Sequence, residues 1–345
     1  MNQTVLVTYA IFGALSLSVW GFVVYRQWIL GLPLIEAEPR RDIPWRGTHV
    51  SVAFVVWLML QLAGELAIRW KYSIAADEPL PTDNLEVKIL GVAAFSFASV
   101  GSAILIGTYL KIDLKASLRD MGWSSSNIGR DVMTGILAFL AIVPVVLTIN
   151  LLLMAAYRLV TGEDPAAHPI ARDSQLNPSP QLLIGHAFSA VLVAPVVEEF
   201  IFRGVLQGWL EKLARATRPI EAQREHQDFA ATSEPDSAKT PEQKASLAAV
   251  PADEQAPATA TDGKPDESIP EPPMIAPIIV SSLFFSFFHW GHGVAPVSLF
   301  FLSLVLGYLY QRTHRLLPSL IVHMGLNGLS MATLWYVTAS KAVTP

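Results

Sequence analysis

The chain has 345 residues, of which 52% are hydrophobic and 15% charged, and its formal net charge is −5. A soluble domain carries about 25% charged residues, so this composition and the positive mean hydropathy point to a polytopic membrane protein. The absence of cysteine excludes disulfides, thiolate metal sites and cysteine nucleophiles, and without a basic stripe nothing points to nucleic acid.

In chain order, eight apolar runs are candidate spans: residues 5–25, 50–68, 89–110, 132–157, 182–204, 278–290, 297–311 and 316–336. A helical crossing needs roughly 20 such residues, so the sixth and seventh are short. The expected fold is therefore all-α, a transmembrane helical bundle of about eight spans. The first run has neither a basic n-region nor an obvious small-residue cleavage site, and reads as an anchor, not a cleaved signal.

Lysine and arginine in the loops set the orientation. The first loop carries Arg26, Arg40, Arg41 and Arg46, and the third carries Lys111, Lys115, Arg119 and Arg130. Lys212, Arg215 and Arg218 follow the fifth span, and Arg312 and Arg315 precede the eighth. With eight spans all of these fall on one side, while the second loop is acidic (Asp77, Glu78, Asp83, Glu86). The basic loops are expected in the cytoplasm and both termini outside it.

Residues 217–273 are rich in Ala, Pro, Glu, Asp, Lys, Thr and Gln and nearly devoid of aromatics. Such a segment buries too little apolar surface to order itself, and is expected to be a disordered, non-catalytic cytoplasmic insertion. Three parts result: residues 1–180 with spans one to four, a core of 181–216 plus 274–338, and the insertion. The stretch 115–130 reads as an interfacial connector.

The fifth span carries the most informative residues. Glu198 and Glu199 lie in an apolar run after Pro195, and Arg203 follows. Ionisable groups at membrane depth are costly and usually have a partner and a purpose. On a helix Glu199 and Arg203 share a face and neutralise one another. Glu198 is rotated by about 100 degrees and has no such local partner, which leaves it as base or ligand. Pro195 frees a backbone carbonyl and predicts a kink. His289 ends the sixth span. His323 and Asn327 share a face of the eighth, after Pro318-Ser319.

Two chemistries fit these groups. A carboxylate and two neutral imidazoles (Glu198, His289, His323) can hold zinc with an open position for water, and zinc lowers the pKa of that water. Alternatively, Glu198 with a histidine activates water directly, while Asn327 and the other histidine stabilise an oxyanion. Both routes lead to amide hydrolysis.

The motifs Glu-Glu-x-x-x-Arg (198–203), Phe-x-x-x-His (285–289) and His-x-x-x-Asn (323–327), in that order, resemble the CPBP family. This is the group of CAAX prenyl endopeptidases and bacteriocin-processing enzymes. The flanks Arg203-Gly204 and Pro318-Ser319-Leu320-Ile321 are similar too. The resemblance covers about residues 182–330. It implies an intramembrane endopeptidase of the bacterial inner membrane, acting on a membrane-associated protein or peptide. In that reading Glu198 is the base for water, His289, His323 and Asn327 complete the site, and Glu199–Arg203 brace it. A non-catalytic scaffold or immunity factor is the competing reading. A proton-coupled transporter is a third, disfavoured because no paired hydrophobic repeats are seen. His168, His186, His292 and His314 match no motif.

Overall fold

The computed structural model describes residues 3–38, 42–81, 83–166, 168–216 and 274–343. The expected insertion, with Arg40, Arg41 and Arg218, lies outside the described residues. Nine helices account for the described fold, and no strand occurs among these residues. They are α1 (Gln3–Val24), α2 (Gly47–Lys71), α3 (Leu85–Leu114), α4 (Ile128–Thr161), the short α5 (Pro169–Leu176), α6 (Pro180–Ala216), α7 (Ile275–Phe288), α8 (Ala295–Thr313) and α9 (Leu317–Val343). Each apolar run read from the sequence falls in one of these helices, overrunning its ends by at most two residues. The protein is an integral membrane protein: α2, α3, α4 and α6, with the stretch Leu317–Ala339 of α9, are long and apolar enough to cross a bilayer.

Local chemistry sets the helix ends. The Asn84 side chain accepts from Val87 N–H at 3.2 Å and opens α3. Ser179 Oγ does the same for Leu182 N–H at 3.4 Å, with Pro180 in the first turn of α6. Gly162, at φ 74°, closes α4 in the left-handed conformation that glycine adopts without strain.

The loops gather on two opposite faces. On the basic face, Glu38 N–H donates to Arg312 O at 2.9 Å, and Leu316 N–H to Gly122 O at 2.9 Å. Arg315 holds Asp131 through two bonds of 2.6 and 2.7 Å, and Lys212 donates to Ile43 O at 2.7 Å. On the other face Lys88 pairs with Asp173 at 2.9 Å, and Arg69 donates to Glu78 O at 2.8 Å. In the stretch 115–130 Leu118 is exposed and Met121 is buried, and Met121 O sits 3.0 Å from where a Cβ on Gly204 would stand. Glycine at 204 permits that close backbone approach to α6.

Helix α7 has 14 residues, about 21 Å at 1.5 Å per residue, against roughly 30 Å of hydrocarbon. It starts at the basic face, where the Gln311 side chain grips both backbone groups of Met274: Met274 N–H donates to Oε1 at 2.9 Å and Nε2 donates to Met274 O at 2.9 Å. Gln311 Nε2 also reaches Glu211 Oε1 at 3.2 Å, and Gln207 Nε2 donates to the same oxygen at 3.0 Å. The chain is thus fastened on both sides of the insertion by groups outside it. Replacing residues 217–273 with a short Gly/Ser linker should leave expression and activity near wild type. Lost activity with normal membrane insertion would show that the segment recruits substrate or controls access.

Candidate active site

The backbone of α6 departs from a plain α-helix where the carboxylates sit. Ser189–Val193 and Glu199–Gln207 are π-helical and flank a single α-helical stretch, Ala194–Glu198. Such widened turns recur at functional sites. Pro195 lies in the first turn of the α-helical stretch. Its missing N–H and the π turn together strand the Ala190 carbonyl, because Ala194 N–H bonds to Ser189 O instead. Asn327 satisfies the stranded oxygen, with Nδ2 donating at 2.7 Å. The freed carbonyl was legible from Pro195; its partner on α9 was not.

Glu199 and Arg203 are fully buried and pair at 3.4 Å. Arg203 also donates to Ser303 Oγ at 3.0 Å on α8, and its guanidinium stands 5.1 Å over the Phe285 ring. Glu199 has a second partner that sequence reasoning did not assign to it: His323 Nδ1 lies 3.1 Å from Oε1. His323 therefore bridges the two carboxylates, because its Nε2 is 3.8 Å from Glu198 Oε2.

His289 caps α7, and its Nε2 is 3.9 Å from Glu198 Oε2. Since α7 is short, His289 ends it part-way through the bilayer, level with Glu198. Irregular backbone follows, and at this depth it is tolerated where it lines a cavity. His289 Nδ1 lies 2.8 Å from Phe285 O. A carbonyl only accepts, so Nδ1 carries the proton and the lone pair is on Nε2. The same logic at an ionised Glu199 places a proton on His323 Nδ1. In the neutral form of each imidazole the lone pair is then on Nε2, the nitrogen nearer Glu198.

Glu198, His289, His323 and Asn327 all line one cavity of about 670 Å³. Its upper walls are mostly apolar, from Leu80, Val92, Phe95, Val146 and Leu334. Three histidines outside the motifs line it as well: His168, His186 and His292. The rings of His168 and His292 are 4.7 Å apart, and His292 is 5.7 Å from His289. No spacing signal links them, since they come from three separate segments. His314 does not line the cavity; it caps α8 beside Tyr310. Although its ring is exposed at the rim, His168 is held down to about 4 from 6.5, first by lost hydration and then by His292 and His289. An unfolded chain takes up that proton first, so stability present above about 6.5 is lost as pH falls toward about 4. The His168→Gln variant should show a flatter melting-temperature profile across that window.

The donors around Glu198 stand wider apart than the ligands of a zinc ion. With zinc–ligand bonds of about 2.0–2.2 Å, neighbouring ligands in a tetrahedral site are about 3.3–3.6 Å apart. Glu198 Oε2 stands 3.9 and 3.8 Å from the two Nε2 atoms. Among the described residues no group of three or more His, Asp or Glu side chains is disposed to hold a metal ion. As spaced, these residues do not fit the ion, and no step below runs through one.

The family model described as Type II CAAX prenyl endopeptidase Rce1-like matches residues 180–222 and 265–329. The Rce1-like family is itself part of the CPBP family, so this segment is similar to CPBP proteins. The match takes in α6, α7, α8 and the part of α9 bearing His323 and Asn327, and the activity the family implies is that of an intramembrane CAAX-type endopeptidase. No curated protein and no solved structure matches the chain. The matched segment contributes every residue of the Glu198 cluster, while α3, α4 and α5 supply the outer cavity wall.

Proposed function

We propose that the protein is an endopeptidase that hydrolyses a peptide bond of a membrane-associated polypeptide inside this cavity. The observation that carries this reading is the convergence of the Glu198 carboxylate and two imidazole Nε2 atoms, 3.9 and 3.8 Å away, on one spot lining the cavity. A water there donates one hydrogen to Glu198 and the other to an Nε2 lone pair, which aims its own lone pair at the substrate carbonyl. As the oxygen–carbon bond forms, Glu198 takes the proton. It returns that proton to the leaving nitrogen as the carbon–nitrogen bond breaks. Asn327 spends one Nδ2 hydrogen on Ala190 O and keeps a second to donate to the oxyanion. Glu199 fixes the tautomer and angle of His323, and Arg203 holds Glu199 charged at depth.

The basic face is proposed to be cytoplasmic and both termini extracytoplasmic. The test is a peptide-cleavage assay on purified protein beside elemental metal analysis. Wild type should cleave and Glu198→Ala should not. Stoichiometric metal, lost together with activity on chelation, would replace the water mechanism with the zinc mechanism. Absence of cleavage across membrane-peptide libraries would favour the non-catalytic scaffold.

A further inference from the structure

The cavity is not placed evenly across the protein. Glu198 is its floor, and the walls rise from there in one direction only. They come from the start of α3 (Val87, Lys88), the 164–173 segment (His168, Asp173) and the later turns of α9 (Met331, Leu334). Every one of these belongs to the face carrying the Lys88–Asp173 pair. None comes from the four basic loops. On their side the polar floor is sealed: below Glu198 lie the fully buried Glu199, Arg203 and Gln207, with Gln207 donating to Gly307 O at 2.8 Å.

The basic residues near helix ends mark the cytoplasmic side. The cavity's face carries few lysines and arginines near its helix ends, Arg69, Lys71, Lys88, Arg158 and Arg172 among them, against the larger set in the four basic loops. We infer that the site is loaded from the extracytoplasmic surface, and that its substrate is a membrane-anchored polypeptide whose cleaved segment lies at that surface. This deepens the proposed function, since it rests on the cavity being the substrate site. The mouth suits such a chain: apolar walls above a polar floor accept an extended peptide that enters from the interface with apolar side chains leading. A substrate finished and held on the cytoplasmic leaflet would meet the sealed floor.

The cysteine-free sequence makes the test direct. Ser330 lines the cavity, and its hydroxyl only returns a bond to Leu326 O within its own helix. Ser125 is exposed on the basic face. Single Ser330→Cys and Ser125→Cys variants are treated in intact cells with a small charged thiosulfonate that does not cross membranes, then again after permeabilisation. The expected result is that Ser330→Cys reacts in intact cells, and Ser125→Cys reacts only after permeabilisation. The reverse pattern, or a Ser330→Cys variant that reacts only in permeabilised cells or in neither, overturns the inference. Labelling does not require turnover. An inert protein that labels as expected would sink the peptidase reading and leave the direction of access standing.

Discussion

Replacing Glu199 with glutamine should both silence the protein and destabilise it by about 3–5 kcal/mol, the cost of breaking a buried ion pair. Replacing Glu198 should silence it and leave the fold intact. Glu199 and Arg203 are fully buried, and Glu199 also steers His323 at 3.1 Å. The glutamine strands a guanidinium at membrane depth and loosens an imidazole of the site. Glu198 has no ion-pair partner within its own helix, and its side chain keeps 14% exposure to the cavity; Glu198→Gln preserves shape and removes only the base. Arg203→Ala should resemble Glu199→Gln, and the double variant should be less than additive, because each single change breaks the same contact. Cleavage rate and thermal unfolding in detergent, read across the four variants, decide the matter. Turnover surviving in Glu198→Gln, or a fold lost there alone, would reverse the assignment of roles.

The second large effect is expected from Gly135→Ala on α4. A Cβ there would lie 2.7 Å from Ile321 Cβ and 3.0 Å from Pro318 O. Backbone and a β-branched carbon cannot step aside, so α9 must move away, and with it His323. Small residues let membrane helices approach this closely. The alanine gains about 1 kcal/mol of helix propensity, while overpacking costs about 1–3 kcal/mol. Net stability therefore falls by about 0–2 kcal/mol, whereas a displacement of about 1 Å at a reacting group costs on the order of 100-fold in rate. Gly129→Ala on the same helix has open space around its new methyl group. It should be neutral or mildly stabilising with full activity. Equal activity in the two variants would show that α4 does not set the position of His323.

Much of this molecule was legible in the sequence because apolar runs and loop charge are properties of single segments. Hydrophobic length located every long helix. The motif spacing also collected Glu198, His289, His323 and Asn327, since each is a residue type that membrane depth makes expensive. What escaped notice depends on non-local geometry. The π turns arise from packing around α6, not from a periodicity in its residues, and they make Ala190 O a target for Asn327. The second role of His323 came from its two nitrogens facing two different carboxylates, which spacing on α9 cannot reveal. His168, His186 and His292 became neighbours of the site only when three separated segments met at the cavity rim. The sixth run is too short to cross, and α7 accordingly stops at His289 beside Glu198.

The grip of Gln311 on Met274 divides the labour of the protein in a particular way. Both carboxylates and the arginine precede residue 217, and both histidines and the asparagine follow residue 273. Neither half owns a complete set of reacting groups, yet each is fastened to the other by hydrogen bonds that do not involve the peptide between them. A chain nicked inside 217–273 would then remain a working complex of two polypeptides. The same division makes the protein inert during its own synthesis: the carboxylates enter the membrane first and have no imidazoles to work with until the last helices arrive.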